Sequence, residues 1–246
     1  LEALSTSQLR AIATAALAGL ASDDLAQLGT ARLQALTSTQ IGALDSDQLN
    51  ALSTTQIRAL TNAQIDGLSA ADLDALTTDR LAALSTAQMA GLSTAQMAGL
   101  TTDIEVLTSQ QINALTPASI AALGAALPTA DILTLTAAGI GALTTAQVDL
   151  LGTAALSALG THQIAALSTA AVESLIGSEV AALTSAQVRS LTVAQVRALG
   201  ADIGSLDTVD IAAMSAAQIG AMTTAQLNTF SAGQLAAMGS AQLAGL

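Results

Sequence analysis

"LSTAQMAGLSTAQMAGL" runs from Leu84 to Leu100: eight residues, Leu-Ser-Thr-Ala-Gln-Met-Ala-Gly, followed by the same eight. This stretch sets a frame for the whole 246-residue chain. With the recurring leucine as position zero, the frame is filled every eight residues from Leu4 to Leu100. A seven-residue step then reaches Leu107, and the octad resumes at Leu115 and Leu123. A four-residue step reaches Leu127, and the octad runs on to Leu199. Another seven-residue step gives Leu206, and Met214, Met222, Phe230, Met238 and Leu246 complete the series. A second apolar residue stands at position five, as at Leu9, Leu17, Leu25, Leu33 and Ile41. Position one is mostly Ser or Thr, position four mostly Gln, and position seven mostly Ala or Gly.

A fixed short period is the mark of a repeat architecture. A strand does not fit, because apolar spacings of five and three are both odd and would face opposite sides. Ala, Leu, Gln and Met also favour helix over strand. One continuous helix does not fit either: eight residues turn about 800°, so the apolar stripe would drift about 80° per octad. Short helices, one per octad, satisfy every position. Ser or Thr at position one with Gln at position four is the capping-box spacing, and positions zero and five are then the two halves of a hydrophobic staple. Pro117 after Thr116 falls on the first helical position, where proline is favoured. Gly29, Gly124, Gly152, Gly160, Gly200 and Gly239 stand at position one, where glycine would terminate the preceding helix. The small residue at position seven would let neighbouring helices approach closely.

Helices of one or two turns have no stability alone. Stacked, they bury one continuous narrow core, which makes the expected fold an all-α solenoid of short capped helices. The number of octads per coil stays open. Two per coil would give a rod roughly 140 Å long at about 9 Å per helix layer; three would give a thicker, shorter one. Residues 1–246 read as a single solenoid with phase breaks near 101–107, 124–127 and 200–206. Two breaks share a motif, Asp103-Ile104 and Asp202-Ile203, in which one cap residue is lost and Asp replaces Gln.

Composition excludes several functions. There is no Cys, Trp, Tyr or Lys, and Phe230 is the one aromatic. Disulfides are impossible, and thiolate and Schiff-base chemistry have no residue to carry them. A net charge of −12 argues against nucleic acid, whose phosphates need cationic partners, and against anionic membrane surfaces. The longest nearly apolar stretch, Ala11 to Ala21, is well short of the roughly 20 residues that span a bilayer.

The remaining residues offer little chemistry. His162, the single histidine, sits early in "THQIAAL" and should be exposed; a base there lacks a distinctive nucleophile and an orienting acid. The acid pairs Asp23-Asp24, Asp45 with Asp47, Asp72 with Asp74 and Asp207 with Asp210 could hold a divalent cation weakly, but no calcium-loop motif frames them. Most acids occupy positions three, four and six, which read as solvated sites. Arg10, Arg58, Arg189 and Arg197 share position six and read as surface decoration. Met89, Met97, Met214, Met222 and Met238 take slots otherwise held by Leu or Ile, so they read as core. We therefore expect no enzyme, no cofactor, and no catalytic, cofactor-binding or metal residues.

The lines "ALTSAQVRSLTVAQVRALG" (Ala182 to Gly200) and "ALSTTQIRALTNAQIDGL" (Ala51 to Leu68) resemble octapeptide tracts, Ala-Leu-Thr-Thr-x-Gln-Ile/Val-x, of large secreted or surface-exposed bacterial proteins. The resemblance implies an extracellular or cell-surface structural or adhesive role, and no catalytic residue carries over. The expected function is a filament, sheath or stalk built by self-association. The alternative is a binding module whose Ser/Thr ladders meet glycan, ice or a partner, which an uninterrupted Thr row on one face would favour. The sequence opens and closes in mid-octad, with Leu1 and Leu4 at one end and Leu243 and Leu246 at the other. Such ends would invite head-to-tail stacking, although octads in a longer polypeptide would cover them equally. The acidic flanks would hold filaments apart, and salt would then promote bundling by screening them.

Overall fold

The computed structural model describes residues 3–100 and 103–246. Leu1, and Thr101 and Thr102 at the start of the first phase break, lie outside the described residues. The chain divides into two compact units, Leu1–Pro128 and Thr129–Leu246, parted directly after the four-residue step. Every regular element among the described residues is helical.

In the first unit the elements come in threes. The first coil holds α1 (Thr6–Ala11), α2 (Thr14–Ala18) and α3 (Ser22–Ala26), and the second α4 (Thr30–Leu33), α5 (Ser38–Ile41) and α6 (Ser46–Ala51). The third holds α7 (Thr54–Ala59), α8 (Asn62–Asp66) and α9 (Ala70–Asp74). The fourth holds α10 (Thr78–Ala82), α11 (Thr86–Gly91) and α12 (Thr94–Gly99). The fifth holds the 3₁₀ helix η1 (Ile104–Val106), α13 (Ser109–Ala114) and α14 (Pro117–Ala122), followed by the 3₁₀ turn η2 (Gly124–Ala126). Each element packs on the third after it: α3 on α6, α4 on α7, α5 on α8, α9 on α12 and α11 on α13. Three octads therefore close one coil, and the elements stack into three columns.

The second unit repeats the plan. Its coils are α15 (Thr129–Ile132), α16 (Ala137–Gly141) and α17 (Thr145–Asp149), then α18 (Gly152–Ala158), α19 (Thr161–Ala166) and α20 (Thr169–Glu173). Next come α21 (Gly177–Val180), α22 (Ser185–Ser190) and α23 (Val193–Ala198), then η3 (Gly200–Ser205), α24 (Thr208–Ala213) and α25 (Ala216–Gly220). The last coil is α26 (Thr224–Leu227), α27 (Ala232–Ala236) and α28 (Ser240–Leu243). Again α19 packs on α22, α20 on α23, and α21 on η3.

The capping box starts most of these helices. In the twinned octads the Ser85 hydroxyl accepts the Gln88 N–H at 3.2 Å, and the Ser85 N–H donates back to Gln88 Oε1 at 2.7 Å. Ser93 and Gln96 repeat this at 3.3 and 2.8 Å. Thr116 caps the helix that Pro117 opens. The staple residues make the core. Position five is fully buried in all but the last coil, as at Leu9, Leu17, Leu25 and Met97, and position zero is buried through the middle of each unit. All five methionines are core.

The two seven-residue steps carry 3₁₀ helices, at Ile104–Val106 and Gly200–Ser205. A 3₁₀ helix rises about 2.0 Å per residue against 1.5 Å for an α-helix, so a shorter segment spans the same side of the coil. Ile104 and Ile203 then fill the position-five slot, both buried.

The position-one glycines divide into two groups. Gly124, Gly152 and Gly200 have φ of +53°, +64° and +53°, the left-handed conformation that glycine adopts freely. Gly29, Gly160 and Gly239 do not terminate helices in this way; they hold the extended conformation of ordinary N-caps. Before Gly160, for instance, the chain already leaves the helix at Leu159, which is extended. Gly200→Ala is accordingly expected to cost about 1 kcal/mol, while Gly29→Ser is expected to gain a cap of similar size. Equal and opposite shifts are not required; a Gly200→Ala midpoint matching the parent in urea would refute the backbone argument.

Small residues let successive coils approach closely on two of the three columns. A Cβ on Gly67 would sit 2.5 Å from the Ser38 carbonyl oxygen, and a Cβ on Gly42 would overlap the Gly67 carbonyl. Gly99 meets Ala70 in the same way.

Candidate functional surfaces

The recurring frame hides its most demanding residue at position four. The capping box needs only an acceptor there. Yet Gln40, Gln48, Gln64, Gln88 and Gln96 are all buried, and each uses its amide nitrogen as well. Gln96 Nε2 donates to the carbonyls of Ile65 and Leu68, both at 2.9 Å, in the preceding coil. Gln64 reaches Leu33 and Leu36 at 2.8 Å, and Gln88 reaches Ile57 and Leu60 at 2.9 and 2.8 Å. In the second unit Gln195 holds Ile164 and Leu167, and Gln242 holds Ile211 and Met214. One carbonyl of each pair lies in the last turn of a helix, where it also accepts the N–H three residues on, and the other lies at the junction to the next helix. One amide thus caps its own helix and ties it to the coil before.

Where another residue takes the slot, its chemistry adapts. Arg80 Nε donates to the Leu52 carbonyl at 3.2 Å, in place of a glutamine. Acids at position four do not all lie in solvated sites, contrary to the sequence expectation: Asp210 is 5% exposed and Glu179 8%. These two acids lie under the preceding coil as the glutamines do. Burial raises the Asp210 carboxyl above its ordinary value, and the nearby charge of Asp207 adds to this; the Ser185 hydroxyl, donating at 2.7 Å, opposes it. An acid raised in the folded state contributes stability that is full below the ordinary carboxylate range and lost as pH rises through the shifted value. Asp210→Asn keeps the acceptor for Ser185 and removes the titration. We expect it to gain about 1 kcal/mol at pH 7 and less near pH 4, read from urea midpoints; a gain independent of pH would contradict the assignment.

The other singled-out residues are dispersed. His162 is exposed on α19. Arg10, Arg58 and Arg197 each donate from Nε to a position-seven carbonyl of the following coil, Ala35, Ala83 and Ala221, so they brace coils as well as decorate them. Among the described residues, no three or more His, Asp or Glu side chains gather around a point that could hold a metal ion. No described helix is long and apolar enough to cross a membrane.

Stacking in threes sorts the surface of the first unit into faces. The first column (α1, α4, α7, α10, η1) carries Arg10, Arg32, Arg58 and Arg80 on four successive coils. Its first three coils have no acid among the described residues; Asp79 joins Arg80 in the fourth, and Asp103 and Glu105 follow in the fifth. The third column (α3, α6, α9, α12, α14) carries Asp23, Asp24, Asp45, Asp47, Asp72 and Asp74 on its first three coils and no arginine. Only Asp66 is charged on the column between. The arginine face also bears Thr6, Thr30, Thr54 and Thr78, all exposed at position two, an unbroken row. An open groove of about 420 Å³, lined by Thr6, Arg10 and Gln34 among others, lies on it. The corresponding rows on the other two columns are interrupted by Asn62 and by Ala70 and Pro117.

The end coils expose what the inner coils bury. Leu235 is 42% and Leu243 51% exposed on the final coil, both at position five. In the first coil it is position zero that is half-buried, at Leu4, Ile12 and Leu20, while Gln8 is exposed. Position zero therefore faces the coil before, and position five the coil after.

No individual curated protein matches the chain significantly. A family model does, the ALTTAQ repeat, at residues 17–54, 43–78, 68–103, 125–161 and 203–240. Between the matches, Gln111, Gln187 and Gln195 keep the same ladder contacts to the preceding coil. Since the matched segments cover well over half of the chain, the protein belongs to the ALTTAQ repeat family.

Proposed function

We propose that this protein is a non-catalytic structural element outside a bacterial cell, which associates head to tail with its own copies to build a filament, sheath or stalk. The feature that supports the reading is the polarity of the stack, in which position zero faces the coil before and position five the coil after. The final coil offers Leu235 and Leu243, together with helix-junction carbonyls such as those of Leu227 and Phe230 to which no glutamine of this chain is bonded among the described residues. The first coil offers half-buried position-zero residues and the unengaged amide of Gln8. Each presents what the other covers at every internal junction. Such a contact is heterologous, and it propagates unless it closes into a ring. Ala16 and Asp24 replace glutamine in the first coil, so the axial contact has one ladder donor where inner coils have up to three. It is weaker than an internal junction and depends on concentration.

Light scattering with negative-stain microscopy at rising concentration tests this. Growth is expected, and Leu235→Glu with Leu243→Glu should abolish it while the helical circular dichroism stays unchanged. A chain that remains strictly monomeric at high concentration overturns the reading.

The exposed threonine row supports a second reading, a module that binds a regular polymer surface such as a polysaccharide. Thr30→Val with Thr54→Val should then release the protein from insoluble polysaccharide without lowering its stability.

A further inference from the structure

We propose that the arginine column of the first unit docks laterally on the aspartate column of a second copy of this chain. The proposal rests on the reading of the protein as self-associating, but it names a different surface from the ends. Arg10, Arg32 and Arg58 step along one column at one residue per coil; the aspartates step along another at two per coil, over the same three coils. Both columns are built on the same coil, so their charges recur with the same rise, about 9 Å for stacked helices. Side by side, two copies can pair every coil in one register. A chain of net charge −12 repels foreign polyanions at long range. Complementary faces instead let like-charged copies approach in a single orientation.

The arginines are positioned for outward contact. Arg10 and Arg58 are exposed, and each is anchored by Nε alone, at 2.9 Å to Ala35 and 3.3 Å to Ala83. That leaves the terminal guanidinium nitrogens for carboxylates, whose geometry they match two at a time. The chain itself supplies the control substitution. Gln34 stands in the same slot one coil on and donates to Ala59 at 2.7 Å, so glutamine keeps the brace and removes the charge.

Exposed ion pairs are individually weak and screened by salt, so the expected contact is modest and ionic-strength dependent. Its sign with salt is opposite to that of simple screening between acidic flanks. Sedimentation velocity on the Leu235→Glu, Leu243→Glu variant isolates lateral pairing from axial growth. We expect reversible association at about 0.01 M salt, where charges act over about 30 Å, weakened at least about tenfold by about 0.15 M, where they act over about 8 Å. Arg10→Gln with Arg58→Gln should weaken it at least about fivefold at low salt, and Asp23→Asn with Asp47→Asn should do the same. Mixing Arg10→Glu, Arg58→Glu copies with Asp23→Arg, Asp47→Arg copies should restore pairing between the two kinds. Thermal melting of each variant separates misfolding from lost contact; the two neutralised variants should melt with the parent.

Association that salt promotes, or that the neutralised variants leave unchanged, overturns the proposal. So does salt-sensitive capture of heparin by the arginines without self-pairing. If the parent grows axially while the end variant never pairs, the lateral contact fails and the filament reading stands. If the end variant pairs and the parent never grows, the reverse holds.

Discussion

Gln96→Glu is expected to destabilise the first unit by roughly 2–4 kcal/mol at neutral pH, more than Gln96→Ala. The two side chains have the same shape. Glutamate still accepts the Ser93 N–H, as Gln96 does at 2.8 Å. What changes is the other branch, where a donor that serves the Ile65 and Leu68 carbonyls becomes a buried anion facing two acceptors. Alanine merely leaves those carbonyls unserved and removes half of the cap. The introduced carboxyl would have its folded value raised above the ordinary range of about 4.3, because burial and the facing carbonyls both disfavour the charge. Its penalty is then small below that range and grows as pH rises through the raised value. Urea midpoints at pH 4 and pH 7 read this directly, with Gln110→Glu as the exposed comparison. If Gln96→Glu costs no more than Gln110→Glu, the ladder does not hold the coils together.

Gly67→Ala decides between two rules that disagree in sign. Gly67 closes α8 at a φ of −73°, a conformation any residue adopts, and local propensity favours alanine there by up to about 1 kcal/mol. The neighbouring coil argues otherwise. The new methyl would lie 2.5 Å from the Ser38 carbonyl oxygen and 2.9 Å from its carbon, and backbone cannot swing aside as a side chain can. A loss of about 1–3 kcal/mol is expected. Gly19, with nothing closer than 3.6 Å to its would-be Cβ, should tolerate alanine or gain slightly. Identical responses at the two glycines would show that the coils yield easily and that small residues are not what sets their spacing.

Much of the fold was legible because each octad states its own local rules. Ser85 and Gln88, three apart, announce a helix start; Leu84 and Met89 announce the staple; Pro117 confirms the phase. The number of octads per coil was not legible, because no local rule contains it. It follows from how far each helix turns the chain, and the tie that records it joins residues 28 and 31 apart, as Gln40 joins Ile12 and Leu9. One signal did lie in the open. A capping box accepts glutamate as readily as glutamine, and the helix N-terminus even favours the acid. A chain with 18 acidic residues that still writes glutamine at most position-four sites has a use for the amide hydrogens. The acids at this position read as solvated in the sequence, but Asp210 and Glu179 stand in a slot that the coil before covers. The charged faces stayed hidden because arginines at 10, 32, 58 and 80 share no octad position, only a column.

A coil of three octads gives the sequence a reading frame. Add or lose one octad, and every octad downstream moves to the next column; add or lose three, and the columns survive with one coil more or fewer. The twinned octads at Leu84 to Gly99 occupy different columns, α11 in one and α12 in the next, although their residues are the same. A slip of one unit during replication, which such direct repeats invite, would therefore preserve every cap, staple and glutamine while reshuffling which charges share a side. Arg10, Arg32, Arg58 and Arg80 all lie upstream of that point, whereas Arg189 and Arg197 fall on adjacent columns of the second unit. Length can drift in this chain in steps of eight with every helix signal kept, but the pairing of coils and the surface pattern are inherited only in steps of twenty-four.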